Sequence, residues 1–214
     1  NTVKVAKDVP LELLGPLGCG IQTGAGAVLN TFKPAAGSSI AIFGCGSVGL
    51  SALMAAKAIG CTTIIAVDVN PVRLVLARQL GATHAFDPRN CNVVEEIHKL
   101  GGGADFSLET TAIPAVFRQA VDCLTVPGVC GLVGAAPMGT EVTFDMNSIM
   151  FGRSVVGIIE GQSVPDHFIP KLVDLYRQGS LPLEKIVGFY PFDDIDQAVR
   201  DSENGKVVKA ILRP

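Results

Sequence analysis

Ser39-Ile40-Ala41-Ile42-Phe43-Gly44-Cys45-Gly46-Ser47-Val48-Gly49-Leu50 constrains the chain more than any other stretch, because it joins an apolar strand, a glycine turn and a helix start. Ser39 to Phe43 is short and apolar, as a strand covered on both faces of a parallel sheet must be. Gly44, Gly46 and Gly49 fall at the spacing G-x-G-x-x-G. In that pattern the first glycine permits a tight turn, the second lets a pyrophosphate approach the backbone, and the third lets helix pack on strand. Leu50 to Ala58 continues as a helix-forming run whose N-terminal N–H groups face an anion.

A glycine triplet says little alone in a chain with 24 glycines. Here the helix and Gly60 lead into a second apolar run, Thr62 to Val67, that ends on Asp68, about 20 residues past the glycines, where the motif needs an acid. A carboxylate there accepts both hydroxyls of an adenosine ribose and repels a 2′-phosphate, so NAD is favoured over NADP. The alternative for Asp68 is a strand-ending turn residue beside Asn70 and Pro71.

With 214 residues there is room for one large domain, or for a domain with an appendage. A hydrophobic content of 48% against 17% charged residues suits a sheet buried between two helix layers. The net charge of -3 supplies no basic stripe, which argues against nucleic acid as a partner. No apolar run approaches the roughly 20 residues that cross a bilayer. Asn1-Thr2-Val3-Lys4 does not begin a signal peptide, and a cytoplasmic protein without a membrane partner is expected. The cysteines at 19, 45, 61, 91, 123 and 130 contain no C-x-x-C pair, so they build neither a zinc knuckle nor a disulfide scaffold. Cys61, Cys123 and Cys130 read as small buried hydrophobes.

In chain order, Asn1 to Lys7 alternates like a strand. Gly15 to Leu29 brings Cys19 into a glycine-rich run that continues as a helix, which Pro34 and Gly37 close. Further helices are expected over Pro71 to Leu80, up to Lys99, and over Ile113 to Leu124. Strands are expected over 82–86, 104–109, 128–133 and 154–158. Six strands separated by helices read as an α/β fold, a doubly wound parallel sheet with its ligand crevice beyond the strands' carboxyl ends. Thr110-Thr111 and Gly134 to Gly139 end two of those strands and are candidate contacts. Ser163 is expected to cap a helix running to Gln178, and Asp193 or Asp194 another that ends near Asn204-Gly205, before a final strand from Lys206 to Leu212. The sheet is complete without these last pieces, so they are expected to serve another domain.

Four landmarks together resemble the C-terminal portion of the zinc-dependent, medium-chain alcohol dehydrogenase family: G-C-G-I-Q-T-G at 18–24, G-C-G-S-V-G at 44–49, Asp68, and L-G-A-T-H at 80–84. The resemblance covers essentially the whole chain, and Gly157 to Pro165 resembles the aryl-alcohol (benzyl alcohol) branch. It implies a Rossmann-type NAD-binding domain over 21–162, a remnant of a catalytic domain over 1–20, and C-terminal helices and a strand returning to that domain over 163–214. Cys19 matches one of the family's three protein ligands to a catalytic zinc, with the fourth position open to an alcohol oxygen. On its own, Cys19 reads as a glycine-flanked structural thiol. Thr23 resembles the residue packing near the nicotinamide, and Gly44, Gly46, Ser47, Val48 and Gly49 the pyrophosphate turn. Asp68 would hold the adenosine ribose with Arg73 nearby. Thr111, Val133, Ala135 and Ile158 would line the crevice through backbone or apolar contact, and Lys209 falls where relatives place a base near the cofactor phosphates.

The implied reaction moves a hydride from a primary, aromatic alcohol to NAD with zinc assistance, and the implied assembly is a homo-oligomer through the nucleotide-binding sheet, with Gly128 to Phe144 as the contact. In the family the other zinc ligands, the proton relay and the structural-zinc cysteines precede the position of Asn1. His84, His98 and His167 match no ligand motif and read as loop or surface residues. The chain as given is therefore expected to bind NAD weakly and to turn over nothing. Two rivals stand beside this expectation: a non-catalytic NAD-binding or redox-sensing module, and a zinc-independent NADP-linked reductase, which Asp68 disfavours.

Overall fold

Short apolar runs that alternate with helix-forming stretches become six parallel strands in the computed structural model, which describes residues 2–214. The strands are β1 (Ser39–Phe43), β2 (Thr63–Val67), β3 (His84–Phe86), β4 (Ala104–Glu109), β5 (Leu124–Leu132) and β6 (Ser154–Gly157), in the order β3-β2-β1-β4-β5-β6. Between them run α2 (Ser47–Ala58), α3 (Pro71–Leu80), α4 (Val93–Lys99), α5 (Pro114–Asp122) and the short α6 (Met146–Met150); α1 (Gly20–Gly26) precedes the sheet. This is the doubly wound Rossmann-type arrangement expected from the sequence.

Side chains alternate across β1 and so divide the core in two. Ile40 and Ile42 face the layer that holds Leu50, Leu53 and Ile21, while Ala41 and Phe43 face the layer of Ile97, Ala120 and Val121. Each fully buried aliphatic side chain of this kind contributes about 1.5–3 kcal/mol relative to exposure. The winding reverses between β1 and β4, and register places Phe43 opposite both Val67 and Glu109. The glycine turn, Asp68 and Thr110 therefore leave the sheet at one level, where a doubly wound fold opens its crevice.

Beyond the sheet, α7 (Pro165–Arg177) buries Phe168, Ile169, Leu172 and Val173 against the first layer. A separate parallel pair follows, β7 (Val187–Pro191) and β8 (Lys209–Arg213), joined through α8 (Ile195–Glu203). Among the described residues no helix is long and apolar enough to cross a membrane.

Several expectations need correction. Residues 2–7 form no strand: Val3 and Val5 rest on the core, but no neighbouring strand supplies hydrogen bonds. Asn1, the first residue of that expected strand, lies outside the described residues. The helix after Cys19 is α-helical only to Gly26, continues as a π turn (Ala27–Phe32), and stops at Lys33 with a left-handed φ of 47°, not at Pro34 or Gly37. Ser163 does not cap α7. Val164 takes that position, and the Ser163 hydroxyl donates to Glu160 O at 2.6 Å and Gln22 Oε1 at 3.1 Å. Asp194 stands at the start of α8 but its side chain caps nothing. The strand β7 was not anticipated, because Gly188 and Pro191 interrupt an otherwise strand-like run. Finally, Gly128 to Leu132 lies inside the sheet, with β4 on one side and β6 on the other; the free edges are β3 and β6.

Candidate functional site

The glycine turn separates three demands on three residues. Gly44 has φ 96°, a conformation that side chains disfavour. A Cβ at Gly49 would run into the Gly44 carbonyl oxygen, so α2 lies directly on the end of β1. A Cβ at Gly46 would meet only Arg73 Nη1, at 3.9 Å, so the space beside it is open. Gly46 starts α2, and no side chain caps the helix there, leaving the N–H groups of its first turn, including those of Ser47, Val48 and Gly49, aimed at that space. Asp68 faces the turn: Oδ2 accepts from Cys45 N at 2.6 Å and Oδ1 from Asn70 N at 2.7 Å. Both oxygens keep a free lone pair. The Asn70 carbonyl oxygen of the side chain caps α3 by accepting from Val72 N, which brings Arg73 over Gly46. Arg73 Nε is buried without a partner beside Gly205, while Nη1 of the same guanidinium borders the open space. Burial, reinforced by the neighbouring Asp68 charge, pushes the Cys45 thiol far above its usual range, so this cysteine is an inert turn residue. The residues present fit a dinucleotide: open room, unpaired N–H groups, an acid and a base.

Across the crevice, the Thr110 hydroxyl donates to Phe43 O at 2.8 Å and Gly44 O at 3.3 Å, stitching the end of β4 to the turn. Thr111 N donates to the fully buried Glu109 carboxylate at 2.5 Å, and Ala112 N joins it at 3.1 Å. Val133 and Gly134 donate their N–H groups to Glu109 O at 3.0 and 3.2 Å, which places Val133 and Ala135 beside Thr111. Ile158 is buried, its side chain packed near Phe32 and Gly131, so only its backbone is free to face the crevice.

Cys19 reaches the same region because glycine lets two helices touch. A Cβ at Gly24 would strike the Val48 carbonyl and the Ser51 hydroxyl, and one at Gly20 would sit 2.8 Å from Ser47 Oγ. Helix α1 therefore lies on the first turns of α2 and carries the exposed Cys19 at its own start. Cys19 Sγ lies 4.0 Å from Glu160 Oε1; Glu160 Oε2 accepts from Gln22 Nε2 at 2.9 Å and from Thr23 Oγ1 at 3.4 Å. Glu160 and Gln162 are left-handed, with φ 49° and 48°, on either side of Gly161, whose carbonyl accepts from Asn30 Nδ2 at 3.0 Å. Such strain persists where surrounding contacts over-determine it. A thiol and a carboxylate are donors that zinc accepts, yet among the described residues no three His, Cys, Asp or Glu side chains converge. The donor set fits zinc in part, and a closed four-coordinate site needs more.

The expected residues thus gather in two groups, the turn with Asp68, Arg73 and Thr111, and Cys19 with Thr23. Lys209 stands apart on β8, opposite Val187, although the nearby Gly205 packs against Asn70 and Arg73. His84 bonds Thr83 Oγ1 at 2.9 Å, His98 lies between the carbonyls of Gly102 and Asp122, and His167 is exposed. Glu109 and Glu160 went unread in the sequence. A carboxylate at a strand end and one in an I-E-G-Q loop carry no spacing signal; Glu109 acts on Thr111 and Ala112 just after it, whereas Glu160 acts on Gln22 and Thr23, which only folding brings near.

With this geometry in place, comparison with known proteins gives the following. The sequence model of a family described as zinc-binding dehydrogenase matches residues 47–178. A geraniol dehydrogenase of Castellaniella defragrans is 43% identical over 216 residues, covering 99% of this chain and 58% of that protein. The crystal structure of an alcohol dehydrogenase zinc-binding domain protein from Burkholderia ambifaria superposes with a TM-score of 0.97 at 53% identity, over 100% of this chain and 58% of its own. That of benzyl alcohol dehydrogenase from Acinetobacter calcoaceticus gives 0.97 at 50% identity, over 99% and 59%. The chain spans a little under three fifths of the length of these relatives.

Proposed function

Because the chain belongs to the zinc-binding dehydrogenase family, we propose that it is the cofactor-binding portion of an NAD-dependent alcohol dehydrogenase. One observation carries this most: the open space at Gly46, ringed by the uncapped start of α2, the anchored Asp68 and Arg73 Nη1. The N–H groups of Ser47, Val48 and Gly49 would hold the diphosphate, where the helix dipole favours an anion. Asp68, pre-oriented by Cys45 N and Asn70 N, accepts the ribose hydroxyls, and Arg73 closes over them. Thr111, Val133, Ala135 and the Ile158 backbone would hold the nicotinamide half with Thr23 at its side, and Lys209, which stands apart on β8, would add only longer-range positive charge. NAD, when bound, supplies the hydride acceptor. The protein's part is to place that ring and to exclude water around it.

Cys19 is assigned as one zinc ligand, with the other donors supplied from outside residues 2–214. Residues 1–20 and 163–214 then belong with the catalytic unit, and 21–162 form the NAD-binding domain. The substrate reading is a primary, aromatic alcohol. In its support, one relative is named for benzyl alcohol; another is named for geraniol, which is primary but not aromatic and shares only the hydroxyl carbon next to an unsaturated one. A cytoplasmic enzyme that pairs with a second copy through its nucleotide-binding sheet belongs to the same proposal.

Calorimetric titration of the chain with NAD and with NADP tests the cofactor assignment. NAD should bind more tightly, and Asp68→Ser should narrow the gap by weakening NAD about tenfold, the cost of losing hydrogen bonds to a charged acceptor. Equal affinity for the two nucleotides in the unaltered chain would reject the role given to Asp68 and favour an NADP-linked reductase.

A further inference from the structure

Resting on the cofactor assignment above, we propose that Glu109 is a positioning residue for the dinucleotide, whose buried carboxylate holds the Thr110-Thr111-Ala112 turn in the shape the crevice needs. Glu109 ends β4 and is 0% exposed, yet among the described residues no lysine or arginine pairs with it. A charge in such a place is costly unless hydrogen bonds replace its water, and an apolar side chain would fill the strand end at lower cost. Its donors therefore explain its presence. Oε1 accepts from Thr111 N at 2.5 Å, from the Thr111 hydroxyl, and from Ala112 N at 3.1 Å; Oε2 lies 3.2 Å from the same Ala112 N.

Every one of these donors belongs to a turn that strain would otherwise open. Ala112 has φ 62°, a left-handed conformation uncommon for a residue with a side chain. A cavity of about 180 Å³, lined by Ala112, Phe117, Gly134 and Phe144, lies beside the carboxylate and gives a released turn somewhere to fall. On its other side the turn is tied to the phosphate loop, because the Thr110 hydroxyl donates to Phe43 O at 2.8 Å and Gly44 O at 3.3 Å. A Cβ at Gly44 would sit 3.0 Å from Thr111 Cγ2. Glu109 thus reaches the cofactor through Thr111 on one side and through Gly44 on the other, without touching it.

Calorimetric NAD titration, thermal melting and amide hydrogen exchange on the chain test the assignment. Glu109→Gln keeps the shape but sets an NH2 group against the Ala112 N–H. It should weaken NAD about tenfold, the scale of one lost charged hydrogen bond, and speed exchange at Thr111 and Ala112. Ala112→Gly alone is the reference against which the double variant is read. Added to Glu109→Gln it should restore affinity to within about threefold, because glycine holds the left-handed shape without help. A purely structural carboxylate would lower the melting temperature in both Glu109 variants and show no such rescue. Should Glu109→Gln fail to fold, Thr110→Val leaves the carboxylate in place, cuts the ties to Phe43 O and Gly44 O, and should also weaken NAD. Wild-type affinity in Glu109→Gln or in Thr110→Val, or a loss that Ala112→Gly leaves unrepaired, would overturn the role of Glu109 alone. An unaltered chain that binds no NAD would overturn the cofactor assignment along with it.

Discussion

Gly46 and Gly49 belong to one motif but answer to different forces. Gly49 is buried where its α-carbon meets the Gly44 carbonyl, so Gly49→Ala must push α2 off β1. Overpacking of this kind costs about 1–3 kcal/mol, and urea unfolding should register a loss of that size. Gly46 has extended backbone, and a Cβ there meets nothing closer than 3.9 Å. Gly46→Ala should therefore leave unfolding within about 0.5 kcal/mol of the unaltered chain. In a calorimetric titration it should still weaken NAD, because the methyl occupies the room assigned to the diphosphate. Equal stability losses in both variants would dissolve the distinction. The motif was legible because spacing along one strand and one turn encodes it. Glu160 was not, since its partners Gln22 and Thr23 lie 138 and 137 residues away. Asp68 was half legible: its position follows from the motif, but the two backbone N–H groups that aim it follow from how Cys45 and Asn70 fold around it.

Elements were legible where one force dominated. β1 and β2 are apolar on both faces and lie inside the sheet, so length and hydrophobicity identified them. β7 is half-buried and pairs only with β8, so neither alternation nor a continuous apolar run marked it. What holds α8 between those two strands is a polar knot. Asp201 accepts from Tyr190 OH at 2.9 Å, Gln197 Nε2 at 2.7 Å and Lys206 Nζ at 2.9 Å. The Lys206 ammonium, aided by Tyr190 and Gln197, holds the Asp201 carboxyl below its usual range. A depressed carboxyl stabilises the folded state fully above its unfolded pKa of about 3.9, and that contribution is lost as pH falls through the lower folded value. Asp201→Asn should consequently flatten the acid limb of a pH-stability curve followed by circular dichroism, while costing stability at neutral pH. An acid limb identical in both proteins would show that the knot does not carry the pH dependence.

At the scale of the whole molecule, the six-stranded sheet has two free edges, and they are treated differently. β3 is only His84–Phe86, and the Arg78 guanidinium donates to Thr83 O at 3.5 Å and Ala85 O at 3.4 Å, covering carbonyls along that side. β6 has one such cover among the described residues: Gln162 Nε2 donates to its last carbonyl, Gly157 O, at 3.5 Å. Val155 on it is 41% exposed, and Met146, Met150 and Phe151 just before it are 85%, 67% and 66% exposed, an apolar surface contiguous in sequence with an unpaired strand. An edge of this kind templates another strand, and a two-fold axis beside it would join two copies into one continuous sheet. The second copy proposed for this protein would in that case add to β6; of the expected contact Gly128 to Phe144, residues 128–132 already lie inside the sheet. Sedimentation velocity should show a concentration-dependent dimer. Val155→Lys should shift it to monomer by placing a charge on the edge, with the circular dichroism spectrum unchanged. A dimer that survives Val155→Lys together with Phe151→Asp would move the contact elsewhere on the molecule, and a monomer at every concentration would remove it from the residues described.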